Sequence, residues 1–169
     1  MAPLRVHVNV SPITFRTPGF ADDVLACLGR HDVDAADVLL EITETQMMGE
    51  DPPTLQAMEA LHAAGIGVAI DDFGTGCSSL GYVRRKFVDV IKIDRSLVTG
   101  LDADPNQRRI AAALLAVVDA FGLTAVAEGV QTEAEVAALR ELGCRYGQGY
   151  LWGEPRPATG FAVFRPEVV

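Results

Sequence analysis

The chain has 169 residues, a formal net charge of −9, and 49% hydrophobic against 22% charged residues. This composition describes a folded chain and not a disordered one, and with 14 basic against 23 acidic residues it offers no basic face for binding DNA or RNA through phosphates. No apolar run approaches the roughly 18 residues of a membrane span, and the start, MAPLRVHVNV, lacks the charged and apolar regions of a signal peptide, so a cytoplasmic protein is expected.

The first predicted element is a strand, LRVHVNV, followed by a helix over GFADDVLACLGRHD. A second strand, DVLLEIT, precedes a helix over DPPTLQAMEALHAAG, with Asp51 as N-cap, Pro52 at the first helical position and Gly65 as the stop. Next comes the short apolar run IGVAI, which leads into Asp71, Asp72 and the glycines Gly74 and Gly76. A strand over VDVIKID and the polar loop LDADPNQ follow. The helix NQRRIAAALLAVVDAFG then carries Ile110, Leu114, Leu115, Val118 and Phe121 at helical spacing. LTAVAEG reads as a strand, TEAEVAALRELG as a helix opened by a Thr132/Glu135 capping box, and YGQGYLW as the last strand.

Strands that alternate with helices in this way predict a parallel α/β sheet with covering helices. A doubly wound sheet would carry a glycine-rich phosphate loop after its first strand, and the segment SPITF has no glycine. A (β/α)8 barrel places functional groups at the C-terminal ends of its strands, and that is where the polar residues fall. The strands end on Asn9, Glu41, Asp71 with Asp72, Lys92 and Glu128, and the last candidate brings Gln148. Glu41 and Lys92 each lie between apolar neighbours, so alternation turns them to the opposite face.

Any one such acid or lysine is ordinarily a turn or ion-pair residue. Four carboxylates together against one lysine call for a counter-charge, and hard divalent cations supply it through oxygen ligands. Such a site suits metal-assisted hydrolysis of a phosphate ester. Asp71 is expected to face inward from the strand, with Asp72 past its end and swung back by the relaxed backbone at Gly74 and Gly76. Cys27, Cys77 and Cys144 form no CxxC pair and read as reduced, packed thiols, while His7, His31 and His62 have no metal-ligand spacing. Arg84, Arg85 and Lys86 read as a solvated helix face. The strand ending in Asp-Asp has no Walker A partner, and the DFG has none of the other kinase motifs.

With these residues assembled, the chain resembles the EAL domain family, bacterial phosphodiesterases that linearise cyclic di-GMP. The resemblance rests on VHVNVSP, LLEITET, GVAIDDFGTGCSSL, VIKIDRSLV, AVAEGV and YGQGYLW, in the family's order from about residue 5 to 155. It implies a (β/α)8 TIM-barrel-like fold, here one EAL domain over residues 1–169, and a site for Mg²⁺ or Mn²⁺, two ions when complete. By matching position, Asn9, Glu41, Asp71, Asp72 and Glu128 are the metal residues, and Lys92, Glu128 and Asp72 the catalytic ones. Gln148 lies near the substrate, and Glu44 steadies the loop DDFGTGCSSL. Cyclic di-GMP, a second copy of the chain, and sensor or GGDEF-type domains in the parent protein are the implied partners.

The family's Glu-Ala-Leu segment belongs upstream of residue 1. A whole barrel takes about 250 residues, so this sequence is expected to represent the C-terminal roughly two-thirds of a domain without its first strand and helix. Weak or no hydrolysis of cyclic di-GMP is the resulting expectation. The alternative is a non-catalytic module that binds cyclic di-GMP or a protein. Gln131 stands where the family has a second glutamate, and Phe87 where it usually has proline.

Overall fold

Backbone pairing follows the order of the chain. A computed structural model describes residues 5–43, 52–74 and 87–157 in two compact units, which meet in the sequence between Ile91 and Lys92.

The first unit contains β1 (Val6–Asn9), α1 (Pro12–Phe15), α2 (Phe20–Arg30), a 3-10 turn (Ala35–Asp37), β2 (Val38–Thr43), α3 (Pro52–Ala63) and β3 (Gly67–Phe73). Its strands are parallel, with Asn9 opposite Glu41 and Thr43 opposite Asp71. β2 and β3 are apolar without alternation, as a strand covered on both faces must be, and Leu39, Ile42, Val68 and Ile70 are fully buried. β1 is exposed along its length. Met58 and Leu61 bury one side of α3, and the chain leaves that helix through Gly65 at φ 97°. Asp51 and the cluster 84–86 lie outside the described residues. The short α1 was not expected, although its signal is present: the Ser11 hydroxyl accepts the Thr14 N–H, and Pro12 sits at the first helical position.

Val90 and Ile91 of β4 (Val90–Ile93) belong to the first unit, and Lys92 opens the second. α4 (Arg95–Val98), α5 (Pro105–Ala120), β5 (Thr124–Ala127), α6 (Glu133–Glu141) and β6 (Tyr146–Gly147) follow. The strand order here is β4-β5-β6, and β6 runs parallel to β5 with Gly147 opposite Ala127. Ile93, Val98, Leu115, Ala127, Val136 and Leu139 form the centre of a buried cluster.

Four local expectations change. α5 starts within the presumed loop, because Asp104 accepts the Asn106 N–H at 2.8 Å and Pro105 follows the cap. Its buried stripe is Ala111, Leu115 and Val118, which turns Ile110 outward, and Phe121 is past the helix end and exposed. The last strand shrinks to two residues, with Gln148 just beyond it. Cys144 is packed as expected, but Cys27 is exposed on α2. Phe87 is buried, in keeping with a packing role. Among the described residues, no helix is long and apolar enough to cross a membrane.

Candidate active site

In the first unit the polar residues sit where neighbouring strands end. Register places Asn9 opposite Glu41, and the Val10 N–H reaches the Glu41 carbonyl at 2.9 Å, so the end of β1 is locked to β2. The Glu41 side chain is 5% exposed, a costly position for a carboxylate. Its Oε1 lies 2.7 Å from His7 Nδ1. Sequence reasoning passed over His7 for want of metal-ligand spacing. The signal was its period-2 relation to Asn9, which puts both on one face of β1.

The end of β3 departs from the expected geometry. β3 continues to Phe73, so Asp72 lies within the strand and not beyond it. Alternation is broken at Asp72 itself, whose φ of 56° is left-handed, and again at Gly74, with φ 100°. Aspartate tolerates this region better than most residues, and the Asp72 N–H donates to Asp71 Oδ1 at 3.1 Å. Gly76, Glu44 and most of the loop DDFGTGCSSL lie outside the described residues.

The second unit brings Lys92, Glu128 and Gln148 together. Lys92 Nζ lies 2.7 Å from Glu128 Oε1, and the Gln148 side-chain amide donates to the same oxygen at 2.8 Å. Lys92 is 2% exposed, so its charge is placed by the fold and not by solvent. The carboxylate therefore has a positive partner from the protein, where the sequence argument had looked mainly to metal ions. The backbone fixes the arrangement: Glu128 N–H donates to Ile93 O at 3.0 Å, Gln148 N–H to Ala127 O at 2.8 Å and Val130 N–H to Gln148 O at 3.1 Å. Two glycines permit this approach. A Cβ at Gly149 would sit 2.0 Å from Val130 O, and one at Gly129, where φ is 67°, would sit 2.5 Å from Arg95 Cβ.

Below this segment, Glu135 closes the expected capping box with Thr132. At the end of β4, Asp94 caps α4 by accepting the Ser96 N–H at 2.9 Å. Burial alone would push the Asp94 carboxyl up, but hydrogen bonds from Ser96 and Arg95 and the Arg95 charge together hold it below its ordinary value. Burial pushes the Cys144 thiol up.

The residues nominated from the sequence as metal ligands, Asn9, Glu41, Asp71 and Asp72 in the first unit and Glu128 in the second, carry oxygen donors, the chemistry that suits hard divalent cations and not soft ones. The model of the EAL domain matches residues 1–155. The chain belongs to the EAL domain family. MucR of Pseudomonas aeruginosa, a bifunctional diguanylate cyclase/cyclic di-GMP phosphodiesterase, is 40% identical over 157 residues, and the match takes in 93% of this EAL chain and 23% of MucR. The chain thus spans about a quarter of that relative's length. A solved MucR phosphodiesterase in complex with c-di-GMP is similar with a TM-score of 0.85 and 40% identity, covering 92% of this chain and 63% of that one. BlrP1 of Klebsiella pneumoniae, solved with manganese and cyclic di-GMP, is similar with a TM-score of 0.81 and 31% identity, covering 89% and 38%. The fold is the parallel, TIM-barrel-like α/β fold of EAL domains. The tripeptide Glu59-Ala60-Leu61 does occur in this EAL chain, but inside α3, with Glu59 exposed and Leu61 buried for packing.

Proposed function

We propose that this chain is part of a metal-dependent phosphodiesterase that hydrolyses one phosphodiester bond of cyclic di-GMP and releases linear pGpG. The observation that carries this reading is the buried Lys92 ammonium held 2.7 Å from Glu128 at a strand end, in a chain of the EAL family. The activity named for MucR supports the substrate.

Asn9, Glu41, Asp71, Asp72 and Glu128 are the metal-binding residues, for Mg²⁺ or Mn²⁺ and in the complete site for two ions. Bound divalent cations supply acidification of a water and neutralisation of phosphoryl charge. They also let a chain of net charge −9 accept an anionic dinucleotide. Lys92 orients the attacking water and stabilises its negative charge. Asp72 and Glu128 are the catalytic carboxylates. Gln148 fixes Glu128 through Oε1 and borders the substrate. His7 restrains the Glu41 carboxylate. Glu44 steadies the loop after β3.

The protein works in the cytoplasm, as a homodimer, with both units in one EAL domain and with sensor or GGDEF-type domains elsewhere in the parent. The 169-residue chain alone is weakly active at most, since the family's Glu-Ala-Leu glutamate has no counterpart at a strand end among its described residues. Gln131, in place of a glutamate three residues after Glu128, favours a second reading: a module that binds cyclic di-GMP without cleaving it. Incubation with cyclic di-GMP and Mn²⁺, followed by chromatography, distinguishes the two. Slow formation of pGpG, stopped by chelator and by Asp71→Asn, is the expected result. Binding without any product supports the second reading, and neither binding nor product overturns both.

A further inference from the structure

Glu135 does more than cap its helix. A capping box needs its carboxylate only on the N–H of the N-cap residue, here Thr132 at 3.1 Å, while the Thr132 hydroxyl accepts the Glu135 N–H at 3.1 Å. The same carboxylate also accepts the Gln131 N–H at 2.8 Å on Oε2 and the Gly100 N–H at 3.1 Å on Oε1. Helix α6 needs neither of these bonds. Gln131 ends the segment that begins at Glu128, and Gly100 lies in the turn after α4, on the connection that follows β4, the strand that carries Lys92.

An ionised carboxylate accepts on both oxygens and donates nothing, which matches three N–H groups converging on a side chain only 4% exposed. The near end of the Glu128 segment is tied by Glu128 N–H to Ile93 O and by the Glu128 side chain to Lys92 and Gln148, and its middle by Val130 N–H to Gln148 O and Leu151 N–H to Val130 O. Glu135 supplies the anchor at its far end.

We propose that Glu135 is a positioning residue for Glu128: its buried carboxylate joins the Gly100 turn to the Gln131–Thr132 backbone and so presets the segment that presents Glu128 beside Lys92. The consequence for metal binding rests on the phosphodiesterase reading, whereas the positioning itself does not.

Amide hydrogen exchange on the 169-residue chain tests it, with Glu135→Gln compared against Thr132→Ala. The amide of glutamine keeps the shape but turns an NH₂ toward a backbone donor. Thr132→Ala removes the other half of the capping box and leaves the carboxylate in place. Exchange at Gly100, Gln131 and Glu128 is expected to rise about tenfold or more in Glu135→Gln, the scale set by losing a net hydrogen bond or two. In Thr132→Ala it is expected to rise in the first turn of α6 alone. Equal effects of the two variants at Glu128, or no change there in Glu135→Gln, would overturn the proposal. The wild type provides a check that needs no variant: Gly100, Gln131 and Glu128 should open together, with protection within about threefold of one another. Independent opening of Gly100 would equally overturn it. Mn²⁺ affinity by calorimetry should fall about tenfold in Glu135→Gln and hold in Thr132→Ala. Failure of the wild type to bind Mn²⁺ sinks the phosphodiesterase reading while the exchange result still decides the positioning.

Discussion

Near the C-terminal end of β3 and just past that of β5, an acid stands beside a left-handed residue, yet the two places fill that position differently. In β3 it is Asp72, at φ 56°, a residue with chemistry of its own. In β5 it is Gly129, at φ 67°, which has no side chain because Arg95 Cβ occupies the place of its Cβ. The contrast separates two uses of the same backbone bend. At β5 the bend serves packing and presents Glu128 to Lys92. At β3 the bend itself carries a carboxylate.

The contrast is broken most severely at Gly129. Gly129→Ala combines an unfavourable φ with a 2.5 Å contact, so it should cost about 3 kcal/mol, read as a lower denaturant midpoint. Lys92→Met comes next. It strands Glu128 without its ammonium, and because Glu128 keeps Gln148 and some solvent the loss should be about 2 kcal/mol, below that of a fully buried pair. Asp72→Gly should be nearly neutral to the fold, within about 0.5 kcal/mol, since relief of the left-handed strain offsets the entropy of a new glycine. Mn²⁺ affinity should nonetheless fall sharply in that variant, which a calorimetric titration would read. The smallest effect concerns Asp94, an acid at a strand end used only as a helix cap. Its folded pKa is depressed, so its contribution is complete above the ordinary value of 3.8 and disappears as pH falls through the folded value. Asp94→Asn should therefore lower stability slightly at neutral pH, with the difference from wild type vanishing as pH falls below about 4.

Much of this was legible in the sequence because it depends on local rules. Period-2 alternation and terminal glycines located the strands and helices, and the Thr132/Glu135 spacing foretold a capping box that the structure contains. Lys92 and Glu128 were named from strand ends alone, and they pair. The rest depends on register and on backbone conformation. His7 meets Glu41 only because β1 and β2 align Asn9 with Glu41, and no spacing within one strand reports that. The bend at Asp72 was assigned to the glycines after it, since propensity favours glycine where the chain instead uses aspartate. Ile110 and Phe121 were taken into a stripe whose true centre lies one position away, at Ala111. The bond from the Gly100 N–H to Glu135 spans 35 residues and has no sequence signature.

The most direct test titrates cyclic di-GMP into the wild-type chain and into Asp72→Gly by calorimetry, each with Mn²⁺ and with chelator. The account predicts binding by the wild type in Mn²⁺, loss of that binding in chelator, and loss in Asp72→Gly at unchanged melting temperature. Equal binding with and without metal, or undiminished binding by Asp72→Gly, would contradict it.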